Sequence, residues 1–224
     1  MWEKIFLKNF IKIYIKYSIH VALAVVALGL VSAHFLQVKL PFTLLIFIFS
    51  STLLGYNVVK FTTIHQDKLS QIIFSFSFLF LNGLAIVALV ITFFRLNSKQ
   101  QLLALATSFL VLLYGRTFPF QQTTLRNQQG MKLYWVALCW VMITVGLPYL
   151  EDNKPNIIGL LFWVFQIGIY VIVDTLPFEI RDMNKDDQSL QTWPQKVGIQ
   201  ATKKRGYGML IAATLLLVFF PHIS

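Results

Sequence analysis

The chain has 224 residues, 57% of them hydrophobic and 12% charged, with a formal net charge of +10 and a mean hydropathy of +0.68. A water-soluble domain carries about 45–50% apolar and about 25% charged residues, so this composition excludes a soluble globule and places the chain in a bilayer. The single cysteine, Cys139, lies in an apolar stretch without an intrachain partner, which removes disulfide-scaffold and thiolate-metal readings.

The first seventeen residues carry Lys4, Lys8, Lys12 and Lys16 along one helical stripe, with Phe6, Phe10, Ile13 and Tyr14 off it. This pattern predicts an amphipathic helix over residues 1–17, lying in the cytoplasmic interface with its lysines toward anionic headgroups. The same segment also reads as the start of a signal peptide, with Val31-Ser32-Ala33 as its cleavage site. Residues 18–224 read as a single transmembrane helical domain. Seven apolar stretches follow one another: Ser18 to Leu36, Leu40 to Val59, Leu69 to Phe94, Leu102 to Tyr114, Leu133 to Tyr149, Ile157 to Leu176 and Tyr207 to Phe220. A spanning helix needs about 20 mostly apolar residues, so the fourth and seventh stretches are short. Helices are expected throughout, because backbone facing lipid must satisfy its own hydrogen bonds and no alternating barrel strands occur. The expected fold is therefore all-α, a polytopic transmembrane helical bundle of about seven spans with an N-terminal interfacial helix.

The basic residues sort by loop. Lys4, Lys8, Lys12, Lys16, Lys60, Lys68, Arg116, Arg126, Lys132, Arg181, Lys185, Lys196, Lys203, Lys204 and Arg205 fall on one side, and Lys39, Arg95, Lys99 and Lys154 on the other. The excess predicts a cytoplasmic N-terminus and an external C-terminus, in an integral membrane protein expected in a bacterial inner membrane. Membrane sidedness thus accounts for the positive charge, and the lipid bilayer rather than nucleic acid is the expected partner.

Five of the nine acidic residues, Asp174, Glu179, Asp182, Asp186 and Asp187, cluster at the cytoplasmic end of the sixth span. If the helix continues into the cytosol, Glu179, Asp182 and Asp186 stand at i, i+3 and i+7 on one face. Carboxylates one turn apart, at roughly 6 Å, repel by about 3 kcal/mol at an effective dielectric near 20, so a cation is expected between them. Mg²⁺, which takes few protein oxygens and completes its shell with water or phosphate, is one candidate. Local ion pairs with Arg181 and Lys185 on a solvated helix end are the other. Pro177 is expected to interrupt the helix just before the cluster. Asp174, ionisable within apolar sequence, is a further candidate site residue, or a carboxylate reaching the interface or bonding a neighbouring helix.

The stretch Glu179-Ile-Arg-Asp182-Met-Asn-Lys-Asp186, followed by Thr192, Pro194, Lys196 and Gly198, resembles the second aspartate-rich motif of UbiA-type intramembrane prenyltransferases, and it follows the sixth span as that motif does. Tyr56-Asn57-Val-Val-Lys60, at the end of the second span, resembles the opening of the family's first motif. Leu125-Arg126-Asn127, Gly130 and Lys132, leading into Trp135 and Trp140, is similar to its basic connection between the fourth and fifth helices. The resemblance implies a polyprenyl diphosphate bound through Mg²⁺, ionised, and its prenyl group passed to an aromatic or other lipophilic acceptor. It implies Asp182 and Asp186 as metal ligands with Glu179 as accessory acid, Asn57 as a contact to metal or diphosphate, and Arg126 and Lys132 as contacts to diphosphate; Lys60, where the family has metal-binding acids, is a further diphosphate candidate whose charge replaces a lost metal's. The chain departs from the family in two ways. After Asn57 the expected aspartates are replaced by Val58, Lys60, Phe61 and Ile64, with Asp67 out of register, and seven apolar stretches stand where the family commonly has nine.

His20, His34, His65 and His222 have no metal-ligand spacing and read as packing or interface residues. The 21 phenylalanines could shield an allylic cation through their ring faces, but they serve equally as lipid-facing and core residues. Trp135, Tyr149 and Tyr207 read as interfacial aromatic belts. Two functions follow: a UbiA-like prenyltransferase, or a non-catalytic relative acting as an isoprenoid-lipid binder or as a subunit with a membrane protein partner. A seven-helix transporter or receptor has only its helix count in support.

Overall fold

The computed structural model describes residues 11, 13–62, 76–115, 124–151 and 157–219. Of the expected interfacial helix over 1–17, residues 11 and 13–16 are helical and close with a turn at Tyr17 and Ser18, whereas residues 1–10 and 12 lie outside the described residues. Lys68, Asp67, Arg116, Lys154, His65 and His222 also lie outside them.

The described residues are helical, with no strand among them. Among them are α1 Ile19–Phe35, α2 Phe42–Thr62, α3 Phe76–Phe93, α4 Ser98–Gly115, α5 Lys132–Tyr149, α6 Ile157–Asp182 and α7 Trp193–Phe219, the last broken by a kink at Gly198, whose φ of 78° and ψ of 164° are not helical. Four of them, α2 over Phe42–Lys60 together with α3, α5 and α6, are long and apolar enough to cross a membrane. The other three depart for identifiable reasons. Helix α1 has 17 residues, or about 26 Å at 1.5 Å per residue against a hydrocarbon core of about 30 Å. The first turn of α4, Ser98-Lys-Gln-Gln101, dilutes its apolar content, and α7 carries Lys203, Lys204 and Arg205.

Side-chain contacts show that successive helices alternate in direction. Lys60 Nζ at the end of α2 donates to the Lys16 carbonyl at 2.8 Å, and Tyr17 meets Phe78 at the start of α3. At the opposite end, Asn97 and Gln100 at the start of α4 reach the end of α5. Asn97 accepts from the Gln100 amide at 2.9 Å while Gln100 accepts from the Asn97 amide at 3.1 Å, a reciprocal cap that satisfies two helix-terminal donors. The Gln100 amide group also donates to the Leu147 carbonyl and, at 2.7 Å, to Glu151, so one fully buried side chain ties α4 to α5.

Between helices already in lipid, association comes from close packing and interhelical hydrogen bonds. Val25, Leu44, Phe47, Ile48, Leu96, Ala104 and Leu147 join α1, α2, α4 and α5, and Ala137, Val141, Val145, Trp163, Ile167 and Val171 join α5 to α6. Phe35 stacks on Trp163 at 4.0 Å and fixes the end of α1 on this second cluster. Two glycines mark backbone approach. A Cβ at Gly146 would meet Leu103 Cδ2 of α4 at 2.7 Å, and one at Gly206 would meet Leu176 Cδ1 of α6 at 2.9 Å. Helix α5 contains a π-helical turn over Met142–Gly146, where Thr144 Oγ1 donates to the Trp140 carbonyl at 2.8 Å.

Helix α6 corrects one expectation. It runs through Pro177 to Asp182 instead of breaking at the proline, since a helix packed against neighbours on two sides tolerates one missing hydrogen bond. It then ends at Asp182, so Asp186 belongs to the following turn, where its amide donates to the Asp182 carbonyl at 2.8 Å.

Candidate functional site

The charged candidates meet where the α4–α5 connection touches the end of α6. A 3-10 turn over Leu125–Asn127 leads to Gly130, whose φ of 69° is a left-handed conformation that favours glycine. The Gly130 amide donates to the Leu190 carbonyl at 2.8 Å, and a Cβ at Gly130 would lie 3.6 Å from Lys196 Nζ. This seam aims Lys132, the first residue of α5, at the acids. Lys132 Nζ lies 2.9 Å from Glu179 Oε1 and 2.7 Å from Asp186 Oδ2. The three side chains are 17%, 4% and 15% exposed, so this is a largely desolvated triad.

Asp182 points elsewhere. Arg181 grips it with two hydrogen bonds, at 3.0 and 2.6 Å, and Lys185 approaches at 3.7 Å. The i, i+3, i+7 face is therefore divided: Glu179 and Asp186 converge on Lys132, and Asp182 faces its sequence neighbours. Arg126 and Lys196, on the two sides of the seam, have no carboxylate partner among the described residues.

Gln195 organises the turn after α6. Its side-chain oxygen accepts from the Thr192 amide at 2.8 Å, and its side-chain amide donates to the carbonyls of Met183, Asp186 and Asp187, each at 3.3 Å. Asp187 caps the 3-10 turn Gln188–Leu190 by accepting from the Ser189 amide at 2.8 Å, and that bond holds its carboxyl below the usual carboxylate value. Because the folded value is the lower one, the cap is fully formed above the unfolded value near 3.9 and is lost as pH falls through the folded one. Hydrogen exchange at the Ser189 amide is expected to lose protection over that acidic interval in the native chain but not in Asp187→Asn, whose side-chain oxygen does not titrate.

The first-motif candidates have other partners. Asn57, 2% exposed, donates to Asn82 Oδ1 of α3 at 2.9 Å, while Asn82 donates to the Phe78 carbonyl. The pair is an interhelical polar contact of the kind that holds membrane helices together. Lys60 is on the Lys16 carbonyl. Asp174 is at an exposed position of α6, within electrostatic reach of the Tyr56 hydroxyl. Of the histidines, His20 Nδ1 lies 3.2 Å from the Tyr14 carbonyl, a packing contact.

Next to the triad lies a cavity of about 360 Å³ between α2, α4 and α5. Its walls are mainly apolar, from residues such as Phe47, Leu54, Val111 and Ile143. Its polar side chains are Ser51, Thr52, Thr107 and Ser108 together with Tyr56, Tyr114, Trp135 and Trp140. Trp140 Nε1 donates to Tyr56 Oη at 3.0 Å, and Trp135 Nε1 donates to Gln128 at 3.1 Å. The first turn of α5 links the two features: it begins at Lys132, and its Trp135 and Val136 line the cavity, as does Tyr114 at the end of α4. A mainly apolar chamber of this size with a few polar groups in its walls is a small-molecule site in its general form.

The chain matches no known protein family, no curated protein and no solved structure. The site therefore stands on its own chemistry.

That chemistry does not fit the Mg²⁺ implied by the family resemblance. Among the described residues no three His, Cys, Asp or Glu side chains gather as metal ligands would. The two carboxylates that do converge are bridged by an ammonium at hydrogen-bond distance, and the third is held by a guanidinium. An ion that dehydrates reluctantly and demands near-octahedral oxygen ligands would have to displace Lys132 first.

Sequence reasoning named Lys132 as a diphosphate contact through the family resemblance and missed its place between Glu179 and Asp186, the Asn57–Asn82 pair and the Tyr56–Trp140 contact in the cavity wall. Asn82 carried a visible signal, an amide within an apolar span. The pairing of Lys132 with the acids carried none, since 47 residues separate it from Glu179 in the chain and the seam at Gly130 brings them together.

Proposed function

We propose that this chain is a UbiA-like integral membrane protein that holds an isoprenoid lipid. In this reading the prenyl chain lies in the cavity between α2, α4 and α5, and an anionic head lies toward Arg126 and Lys196. The observation that carries it is the first turn of α5, where an apolar chamber lined by Trp135 and Val136 meets a charged cluster in which Arg126 and Lys196 have no carboxylate partner among the described residues. The transferase reading extends it: a polyprenyl diphosphate ionises there and its prenyl group passes to a lipophilic acceptor, with water excluded by the apolar walls. The non-catalytic reading, an isoprenoid binder or a subunit of a membrane complex, is favoured by the partners of the family-like residues. Lys132 neutralises Glu179 and Asp186 and Arg181 holds Asp182, so the carboxylates the resemblance assigns to metal already have cationic partners within the protein.

Titrating the purified chain with farnesyl diphosphate, read by the fluorescence of Trp135 and Trp140, is expected to give saturable binding, with prenyl transfer to added quinol or phenol acceptors slow or absent. Robust transfer would establish the enzyme, and no response to any prenyl diphosphate or prenyl alcohol would remove both readings.

The topology proposed with this function is seven spans with a cytoplasmic N-terminus and external C-terminus in a bacterial inner membrane. It is supported by the alternation of helix directions and by the grouping of Lys16, Lys60, Lys132, Arg181 and Lys196 at one end of the bundle. In a Cys139→Ser background, single cysteines at positions 60, 126 and 196 are expected to label from the cytoplasm and one at 154 from outside. Labelling of 154 and 196 from the same side would defeat it.

A further inference from the structure

Two carboxylates from different segments, Glu179 in α6 and Asp186 in the turn beyond it, face each other across the end of α5 and are nearly out of solvent. Carboxylates so placed require a cation between them, either a metal ion or a protein group. Here the cation is covalently supplied. Lys132 enters from the first position of α5, and its Nζ is within 2.9 Å of both acids. Its approach is fixed by the Gly130 seam, by the Trp135 bond to Gln128 and by the Gln195 clamp on the Asp186 carbonyl. The remaining acid of the motif is likewise spoken for by Arg181, and beside the seam Arg126 and Lys196 have no carboxylate partner among the described residues.

We propose that Lys132 is a built-in counter-ion occupying the position of a divalent cation between Glu179 and Asp186, so that the site receives an anionic head group through Arg126 and Lys196 without Mg²⁺. The statement about the head group rests on the isoprenoid reading; the statement about the acid pair does not.

Mn²⁺ serves as the probe, followed by its electron paramagnetic resonance signal with the full chain in micelles of uncharged detergent. The native protein is expected to bind no Mn²⁺ beyond empty micelles at up to about a millimolar, the range of weak oxygen-ligand sites. Lys132→Ala is expected to gain about one bound ion, as two freed carboxylates permit. Adding Asp186→Asn should abolish that gain. Farnesyl diphosphate affinity of the native chain should agree within about threefold between EDTA and Mg²⁺.

A saturable Mn²⁺ site in the native protein that disappears in Asp186→Asn would overturn the proposal. So would a folded Lys132→Ala that takes up no Mn²⁺, or head-group binding at least about tenfold tighter with Mg²⁺. If Lys132→Ala does not fold, the two measurements on the native chain decide. Absence of farnesyl diphosphate binding in either buffer removes the isoprenoid reading and leaves the Mn²⁺ result standing.

Discussion

Lys132→Met is expected to lower the stability of the chain in detergent by about 3–5 kcal/mol, the usual cost of removing one partner from a buried ionic group. The methionine keeps most of the volume of the lysine stem, so the loss is electrostatic: Glu179 and Asp186 would face each other, 4% and 15% exposed, with no cation between them. Adding Glu179→Gln and Asp186→Asn removes both uncompensated charges, and the triple variant is expected to recover most of the loss because a neutral cluster of similar shape has no charge to desolvate. Arg181→Ala is the comparison. It breaks an ion pair whose guanidinium side is 62% exposed, where solvent screening leaves about 0–1 kcal/mol. Chemical denaturation of the four proteins measures the difference. Equal effects of Lys132→Met and Arg181→Ala would show that the triad is solvated in the protein.

The contrast between these two lysine and arginine pairs also marks what the sequence made legible. Local spacing announced the cluster, and it announced Arg181 and Lys185 as neutralisers, which they are for Asp182. It could not announce Lys132, because that contact depends on a connection crossing from α4 to α5 and pairing its Gly130 with Leu190 after α6. The same division holds for the helices. Their places were readable from apolar runs, since a chain in lipid has few other ways to satisfy its backbone. Their ends were not: α6 passes Pro177 and stops at Asp182, and α4 begins at an Asn97–Gln100 cap four residues before its apolar run. Both ends are set by side-chain hydrogen bonds and helix contacts, to which hydropathy is blind. The cavity was least readable of all. Its walls come from α2, α4 and α5, and nothing in any one of these segments distinguishes a residue facing empty space from one facing lipid.

Gly55 offers the sharpest test of that cavity. It lines the chamber from α2, and a Cβ built on it touches only Val111 Cγ1 at 3.8 Å, ordinary van der Waals contact, so a larger side chain at this position grows into the open volume. A phenyl ring there would take up a large part of about 360 Å³. The backbone favours the change, because a helix-interior glycine costs about 1 kcal/mol relative to alanine in helix propensity and phenylalanine costs less than glycine. Gly55→Phe is therefore expected to fold at least as stably as the native chain while losing farnesyl diphosphate affinity by at least about tenfold, equivalent to about 1.4 kcal/mol. Loss of stability together with affinity would mean that Gly55 is a packing glycine like Gly146 and Gly206. Unchanged affinity in a stable protein would place the lipid elsewhere and detach the chamber from the charged cluster.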